Sequence, residues 1–459
     1  MSDLARLLQR AALEAATYRA TLADRPVGVP ADRDALARAL GAGRPLADAP
    51  TPAPDVIDQL VAATEPGLVA TVGPRYFGFV IGGSLDAATA ADMLATGWDQ
   101  CAFNAVLSPV AAAVEEAAGG WLKDLLGVPP SASVGFVTGA QAANTVGLAA
   151  ARHRVLADAG WDVEARGLLG APRVRVVAGE ERHVTVDRSL RLLGLGTDVV
   201  EMVATDANGA LDAAALEQVL AAGPAGPIIV CLQAGNVNTG ACDPLRPACE
   251  AAHRHGAWAH VDGAFGLWAA ANPATRHLVD GVELADSWCC DGHKWLNVPY
   301  DSGYVFCAHP ADHLAAVSVT AAYLTGPAGA AGLSNNVLES SRGARGFATW
   351  AALRELGRTG VAELVDRCCR LARRFATGLE AGGARIVNEV VLNQVLVDLG
   401  DSDRTDRIIS GVQQDGTCWM GGTTWQGRRL MRISVSNWST TEADVDRSVA
   451  AVLRVADGV

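Results

Sequence analysis

Two neighbouring stretches, AWAHVDGAFG at residues 257–266 and SWCCDGHKW at residues 287–295, decide the fold that the sequence predicts. Each starts as a short apolar run typical of a buried strand and ends in a polar residue. Further short runs alternate with alanine-rich helical patterns outward from them, which predicts an α/β fold with a mostly parallel seven-stranded sheet. The seven runs are VGFVT at 134–138, VRVVA at 174–178, DVVEMVA at 198–204, PIIVCLQ at 227–233, AWAHVD at 257–262, SWCCD at 287–291 and GYVFCA at 303–308.

The patterns at either end of the chain differ from this central alternation. Residues 1–75 are helical and then proline-rich, which predicts an N-terminal helical arm that serves dimerisation. Residues 76–345 form the large domain, and residues 346–459 predict a smaller C-terminal α/β domain. Its pattern is a long helix at 346–380 broken near Gly357 or Gly360, a strand near 391–398, a helix near 403–414, a strand around 429–436 and a final helix from about 441.

Composition excludes several classes of function. The chain has 459 residues and a net charge of −13 without a basic stripe, so we expect no nucleic-acid partner. No apolar stretch is long enough to cross a membrane, and the amphipathic N-terminus is unlike a signal peptide, which favours the cytoplasm. The ten cysteines lack metal-ligand spacing and are expected to be buried free thiols, so no metal site is predicted. No GxGxxG motif follows an early strand, which disfavours a nicotinamide dehydrogenase.

The chemistry is expected where strands end, because ligands of such sheets bind beyond the carboxyl ends of the strands. The turn at residues 138–141 contains Gly139 and leads into a helix, which is typical of a phosphate site but also of a purely steric turn. Asp262 ends one run, and Lys294 follows the next. A lysine at such a partly desolvated position is expected to have a lowered pKa and to form an imine with an aldehyde. The only other lysine, Lys123, is expected to be a replaceable residue on a helix surface.

Together, the lysine, the carboxylate and the phosphate turn predict a pyridoxal 5'-phosphate site. The segments HVDGAFG and ADSWCCDGHKWLNVPYDSGYVF resemble the group II pyridoxal-phosphate-dependent amino-acid decarboxylases, a fold-type I family that includes aromatic-amino-acid and glutamate decarboxylases. The resemblance covers roughly residues 70–450. Its other segments, in family order, are PRYFGFVIGGS, SPVAAAVEEAAGGWL, FVTGAQAANTVGLAAAR, ERHVTVDRSLRLLG, NTGACDPL and MRISVSN.

The resemblance implies a role for each matching residue. Lys294 matches the Schiff-base lysine, and Asp262 matches the aspartate that pairs with the pyridine nitrogen. Ala264 and His183 match the residues on the two faces of the ring, and His293 matches the residue beside the lysine that reaches the phosphate. The full cofactor set is Lys294, Asp262, Ala264, His183, His293, Gly139, Ala140, Gln141, Asn236 and Asp291. Within this set, the sequence differs from the usual family residues at two places, the turn at 140–144 and residues 235–237.

Three further matches bear on the reaction and the substrate. Tyr323, in TAAYLTGPAGAAGLS, matches a loop tyrosine that returns a proton after CO₂ leaves, although a loop-anchoring aromatic is the alternative. Arg432 is interpreted either as a ligand of the substrate carboxylate or as part of a structural ion pair. Phe79 and Phe103, which could also be core residues, offer an apolar wall that suits an aromatic or apolar side chain.

The resulting hypothesis is decarboxylation of an L-amino acid to its amine and CO₂. The catalytic residues are then Lys294, His183, Tyr323 and Asp262. Aldol cleavage, transamination and β-elimination on the same cofactor remain open, as does a non-catalytic scaffold of the same fold. The family also implies a homodimer with the site at its interface.

Overall fold

The structure of the protein is a computed structural model, which describes residues 2–29, 31–319 and 332–459. The α-helices are α1 Asp3–Ala20, α2 Arg33–Ala39, α3 Ala53–Thr64, α4 Asp86–Gly97, α5 Pro109–Leu126, α6 Ala140–Asp158, α7 Val163–Arg166, α8 Val184–Leu192, α9 Ala213–Ala222, α10 Leu245–Arg254, α11 Pro310–Val317, α12 Gly346–Ala381, α13 Ser402–Asp415 and α14 Glu442–Asp457. Short 3₁₀ turns lie at Glu65–Gly67, Gly266–Ala271, Arg276–Val279, Val282–Leu284 and Leu333–Asn336.

The strands build two sheets. They are β1 Ser133–Val137, β2 Arg175–Gly179, β3 Val200–Val203, β4 Ile228–Gln233, β5 Trp258–Asp262, β6 Ser287–Asp291, β7 Gly303–Cys307, β8 Arg385–Ile386, β9 Gln394–Asp398, β10 Gly421–Trp425 and β11 Arg428–Ser434. The larger sheet has the order β1-β7-β6-β5-β4-β2-β3, and the smaller one has the order β10-β11-β9-β8. In the larger sheet only β7 runs antiparallel to its neighbours, so the predicted seven-stranded, mostly parallel sheet is confirmed.

The centre of the larger sheet is covered on both faces. Every residue of β4, β5, β6 and β7 is buried, which matches the near-continuous apolar character of these runs. Helix α6 packs against β5, β6 and β7, while α12 packs against α4 and α5. The carboxyl ends of the parallel strands therefore form one edge, which the N-terminus of α6 approaches.

The C-terminal elements agree closely with the sequence pattern. Helix α12 is interrupted at Gly357, whose φ of 59° is a left-handed conformation that glycine adopts readily, so the predicted break is confirmed. Two strands, β8 and β10, are absent from the prediction, because β8 is two residues long and β10 begins with two glycines. The domain boundaries near residues 75 and 345 stay a prediction. Helix α12 packs on α4 and α5, which precede residue 345, and on α14, which follows it, so the packing does not separate two domains there.

The N-terminal helices lie on the surface of the chain. Helices α1, α2 and α3 contain no buried residue, and α1 exposes Leu4, Leu8 and Leu13. The segment is attached by Arg19, whose Nη2 lies 2.8 Å from an Asp86 carboxylate oxygen. The N-terminal segment is therefore attached by polar contacts, while apolar side chains of α1 stay exposed.

Two buried or partly buried ionic groups link segments that are far apart in the chain. Arg342 forms a two-pronged ion pair with Glu115 of α5, with N–O distances of 2.6 and 2.8 Å, and both side chains are almost fully buried. A second group, which we call the histidine clamp, joins His253 and His309 through Asp286 at 3.1 and 2.8 Å. Hydrogen bonds to the carboxylate raise the pKa of both histidines. Burial acts to raise the pKa of Asp286, but the hydrogen bonds from the two histidines outweigh burial and keep this pKa below its usual value.

Several predictions about single residues can be compared with the fold. All ten cysteines are free thiols, and eight of them are buried. Within the described ranges, no helix is long and apolar enough to cross a membrane, and no cluster of side chains could hold a metal ion. Lys123 is not the plain surface residue expected from its helix, since its ammonium donates to the carbonyls of Pro130 and Ala132 at 2.6 and 2.9 Å.

Candidate active site

Lys294 lies in the turn that follows β6, at the carboxyl edge of the larger sheet. Its Nζ is 3.1 Å from Oδ2 of Asp291, the last residue of that strand. Burial on its own would lower the pKa of Lys294, but the carboxylates of Asp291 and Asp262 outweigh burial and raise it. The expected lowering of this pKa is therefore wrong, because the amine faces two buried carboxylates rather than an apolar wall.

Asp291 links the lysine to the N-terminus of α6. Its Oδ1 accepts the backbone N–H of Ala140 at 2.5 Å and lies 3.6 Å from Nε2 of His293. A side chain on Gly139 would approach the His293 ring to within 2.9 Å, so only glycine fits between the turn and the imidazole. The structure thus brings the predicted phosphate turn, His293, Asp291 and Lys294 together.

Asp262, at the end of β5, is a buried carboxylate with a full set of donors. It accepts from Nδ2 of Asn144 at 2.9 Å, from Oγ1 of Thr185 at 3.3 Å and from Sγ of Cys289 at 3.3 Å, and the N–H of Ala264 lies 3.2 Å away. Burial acts to raise the pKa of this group, but nearby positive charge and the Asn144 bond outweigh it and lower the pKa. The side chain is therefore ionised and suited to pair with a protonated ring nitrogen.

His183 precedes α8 and lies within the electrostatic reach of Asp262. Its Nδ1 accepts the backbone N–H of Thr185 at 3.3 Å, which caps the helix and fixes the ring. Burial lowers the pKa of His183, so the imidazole is neutral at neutral pH. A narrow cavity is bordered by His183, Asp262 and Gln233.

Two residues of the predicted cofactor set direct their side chains into the protein. Gln141 donates to Oγ of Ser189 at 3.0 Å and to the carbonyl of Thr185 at 3.3 Å. The amide of Asn236 accepts from the backbone of Asn238 at 2.8 Å and donates to the carbonyl of Glu181 at 3.1 Å. Cofactor contacts from these two side chains stay a prediction.

Arg432 lies on β11, with its Nη1 donating to the carbonyl of Val237 at 3.0 Å. Among the described residues no carboxylate lies within ion-pair distance of this guanidinium, so the structural ion pair considered above is not formed there. Burial lowers the pKa of Arg432, and its charge also contributes to lowering the pKa of His183. The arginine therefore presents an unpaired positive charge close to His183.

An aromatic stack joins the segment at residues 76–79 to the C-terminal part of the chain. The ring of Trp419 stacks on Tyr76 and on Phe79, with centroid distances of 5.0 and 5.9 Å, and Phe79 is 59% exposed. A side chain on Gly82 would meet the backbone oxygen of Lys294 at 1.8 Å, so the same segment passes directly beside the lysine. Phe79 lies three residues before Gly82, and its contact with a substrate stays a prediction.

The roles of two other predicted residues, Phe103 and Tyr323, stay predictions. The side chain of Phe103 is half-buried. The backbone carbonyl of Phe103 accepts a hydrogen bond from the backbone N–H of Ser334 at 3.1 Å. Tyr323 lies outside the described residues, so its role stays a prediction.

The model of the pyridoxal-dependent decarboxylase conserved domain matches residues 43–399, well over half of the chain. This chain belongs to the pyridoxal-dependent decarboxylase family. Tryptophan decarboxylase 1 of Oryza sativa subsp. japonica is 27% identical over 413 residues, which cover 83% of this chain and 79% of the relative. Phenylacetaldehyde synthase of Arabidopsis thaliana is 25% identical over 454 residues, which cover 94% and 91%. The crystal structure of Oryza sativa TDC with PLP and tryptamine matches with a TM-score of 0.91 at 23% identity, covering 99% and 98%.

The chain is therefore an amino-acid decarboxylase that uses pyridoxal 5'-phosphate, and the fold-type I architecture is confirmed. The groups present in this decarboxylase suit each part of that cofactor. Lys294 supplies an amine, the buried carboxylate of Asp262 supplies a counter-charge, and the glycine turn at α6 leaves room for an anion. Neutral His183 supplies a flat ring.

Sequence reasoning missed several residues of this decarboxylase site. Asn144 lies one helical turn beyond the phosphate turn, where it and Gln141 are the amides among alanines. Thr185 follows His183 by two residues, and its contact with Asp262 depends on how α8 packs. Trp419 carries no motif. Tyr300 lies within the family segment that contains Lys294, and it packs on the His293 ring with a centroid distance of 4.4 Å. Only the tertiary structure shows the contacts of these two.

Proposed function

We propose that this decarboxylase acts on an aromatic L-amino acid and releases the corresponding amine and CO₂. The observation that carries the proposal is the stack of Tyr76, Trp419 and Phe79 beside the Lys294 segment. Stacked rings offer a flat apolar surface that binds another aromatic ring in an offset or edge-on geometry. The name of the rice relative, a tryptophan decarboxylase, supports the same substrate class.

The site residues have distinct roles in this proposal. Lys294 would hold the cofactor through its amine, and the Asp291 carboxylate, 3.1 Å from Nζ, favours the protonated form of that amine, so the proton would have to be released when the cofactor binds. Asp262 holds the ring nitrogen, while His183 and Ala264 confine the ring. When bound, pyridoxal 5'-phosphate supplies the electron sink that allows the bond to the carboxylate to break. Arg432 pairs with the substrate carboxylate and orients it.

Tyr323 returns a proton to the substrate Cα in this proposal. The second candidate is oxidative formation of an aldehyde, in which dissolved O₂ is the oxidant and CO₂, ammonia and hydrogen peroxide are released; the likeness to phenylacetaldehyde synthase favours it. Replacement Tyr323→Phe separates the two: the amine should fall, and aldehyde and peroxide should rise. If the product ratio does not change, Tyr323 has no part in proton return.

A panel of L-amino acids tests the substrate class. Tryptophan, tyrosine, phenylalanine, leucine and glutamate are incubated with the holoenzyme, and CO₂, amine, aldehyde and oxo acid are measured. We expect CO₂ and amine in equal amounts from the aromatic substrates, whereas highest activity on glutamate would refute the proposal. Lys294→Ala should abolish activity and the near-visible absorbance of the bound cofactor, while Lys123→Ala, the matched control, keeps both.

We also propose that two copies of the chain form a dimer in the cytoplasm. Apolar residues remain exposed around the connection between α4 and α5, namely Trp98, Val106, Leu107 and Val110. Patches of this kind are typical of interfaces, and the free thiols suit a reducing compartment. Light scattering after size exclusion should give twice the chain mass of 47.4 kDa, and a monomer at micromolar concentration would refute the dimer.

A further inference from the structure

A chain of four hydrogen bonds runs through the interior behind Asp262. Nε1 of Trp258 donates to Oγ of Ser287 at 2.9 Å, and Oγ of Ser287 lies 2.8 Å from Nδ1 of His260. Nε2 of His260 lies 2.8 Å from Oδ1 of Asn144, whose Nδ2 donates to Asp262 at 2.9 Å. We call Trp258, Ser287, His260 and Asn144 the donor chain.

The donor chain has one consistent direction. An indole nitrogen only donates, so Ser287 accepts from Trp258 and its own hydrogen goes to Nδ1 of His260. The imidazole then carries its hydrogen on Nε2 and donates to the amide oxygen of Asn144, which turns the amide NH₂ towards Asp262. The reverse direction would place the Asn144 oxygen against the Asp262 carboxylate, which is repulsive.

The imidazole in the middle of the chain is neutral. His260 is fully buried, and burial lowers its pKa to about 4. The second hydrogen of the Asn144 amide points to Oγ1 of Thr185 at 3.2 Å, and the same oxygen lies 2.8 Å from Nδ1 of His183. The amide of Asn144 thus holds both Asp262 and Thr185, and Thr185 in turn contacts His183.

Local sequence makes room for this arrangement. His260 and Asp262 are two residues apart on β5, so their side chains point to the same face of the sheet, towards α6. Gly147 follows Asn144 by three residues on α6, and a side chain there would approach Cε1 of His260 to within 2.8 Å. The pairing of the His-Val-Asp segment with the Asn-Thr-Val-Gly segment is therefore sterically specific.

We propose that Asn144 and His260 are positioning residues that keep Asp262 ionised and aimed at the cofactor ring nitrogen; this rests on the role of Asp262 in the proposed function. A buried carboxylate that loses its donors is destabilised in its charged form and takes up a proton. A protonated Asp262 can no longer hold a protonated ring nitrogen. Losing the donors should therefore weaken cofactor binding and change the absorbance of the bound cofactor.

The test is titration of the apoprotein with pyridoxal 5'-phosphate, read by fluorescence and by the absorbance of the bound cofactor. Asn144→Leu should weaken binding about tenfold, as expected for loss of a hydrogen bond to a charged group, and His260→Phe should weaken it up to about tenfold by releasing the Asn144 amide that makes this bond. His260→Gln, whose amide can donate from nearly the same place, should restore most of the affinity and the wild-type spectrum. Ser287→Ala is a milder variant that should fold and weaken binding a few-fold.

His313→Phe is the matched control. This histidine is also fully buried, with its pKa lowered to about 4 and partners in Oγ of Ser133 at 2.8 Å and the carbonyl of Asn336 at 3.0 Å, but it has no link to Asp262. Equal loss of cofactor affinity in His313→Phe and His260→Phe would overturn the proposal. So would His260→Gln behaving like His260→Phe.

Asp262→Asn separates failure of this inference from failure of the proposed function. If Asp262→Asn binds the cofactor as the wild type does, the proposed role of Asp262 itself is wrong. If Asp262→Asn weakens binding while Asn144→Leu and His260→Phe do not, only the positioning role is overturned.

Discussion

Replacement of Arg432 by methionine should separate substrate binding from stability. The guanidinium donates to the carbonyl of Val237 and has no carboxylate partner among the described residues. Burial lowers the pKa of Arg432, which shows that its surroundings disfavour the charge. An arginine in this state gains a partner when a substrate carboxylate arrives, so its loss should affect the substrate far more than the fold.

The expected magnitude follows from the contacts. A hydrogen bond to a charged group contributes about 1.5–3 kcal/mol, and each 1.4 kcal/mol is about tenfold, so kcat/KM should fall roughly 10- to 150-fold. For the folded state, loss of the Val237 bond costs about 1 kcal/mol, while removal of an unpaired charge offsets it. The free energy of unfolding should therefore change by less than about 1 kcal/mol.

The assay combines kcat and KM for amine formation, cofactor absorbance and urea unfolding. Arg432→Lys should be intermediate, because it keeps the charge but loses the planar fork. Arg429→Met, on the same strand, removes only an exposed ion pair to Asp406 and is the matched control. A wild-type kcat/KM in Arg432→Met would refute the substrate role, and a loss of more than about 3 kcal/mol of stability would show a structural role instead.

Three further predictions concern the aromatic stack, the buried ion pair and the histidine clamp. Trp419→Ala should raise KM for an aromatic substrate about tenfold, through lost ring stacking, and leave KM for leucine unchanged; equal effects on both would contradict it. Arg342→Ala should cost about 3–5 kcal/mol in urea unfolding, because it leaves Glu115 buried without its partner, and a cost below 1 kcal/mol would contradict it. Asp286→Asn should lower the melting temperature more at pH 6 than at pH 8.5. The raised pKa values of both clamp histidines add stability that is complete below about pH 6.5 and is lost as the pH rises through those values. The lowered pKa of Asp286 adds stability that is present above about pH 4 and is lost as the pH falls further. A pH-independent difference would contradict the assignment of the clamp.

The sequence by itself determined the larger sheet and the cofactor, and it predicted the reacting lysine. All seven strands of the larger sheet could be predicted, because each is a short run rich in apolar and β-branched residues, and five of them are buried at every residue. Lys294 and Asp262 follow two of these strands, and parallel strands bring their carboxyl ends to one edge. These inferences succeed because the determining interactions are local or follow from the direction of the strands.

The tertiary structure decided the environment of each group. Whether Lys294 has a raised or a lowered pKa depends on Asp291 and Asp262, whose distances no sequence pattern fixes. The stack of Trp419 on Tyr76 and the hydrogen bond from Asn144 to Asp262 each join residues more than one hundred positions apart. Lys123 differs from expectation for the same reason, since the carbonyls that it binds come from the turn that follows its helix. Charge and packing depend on distances in space, which only the folded chain sets.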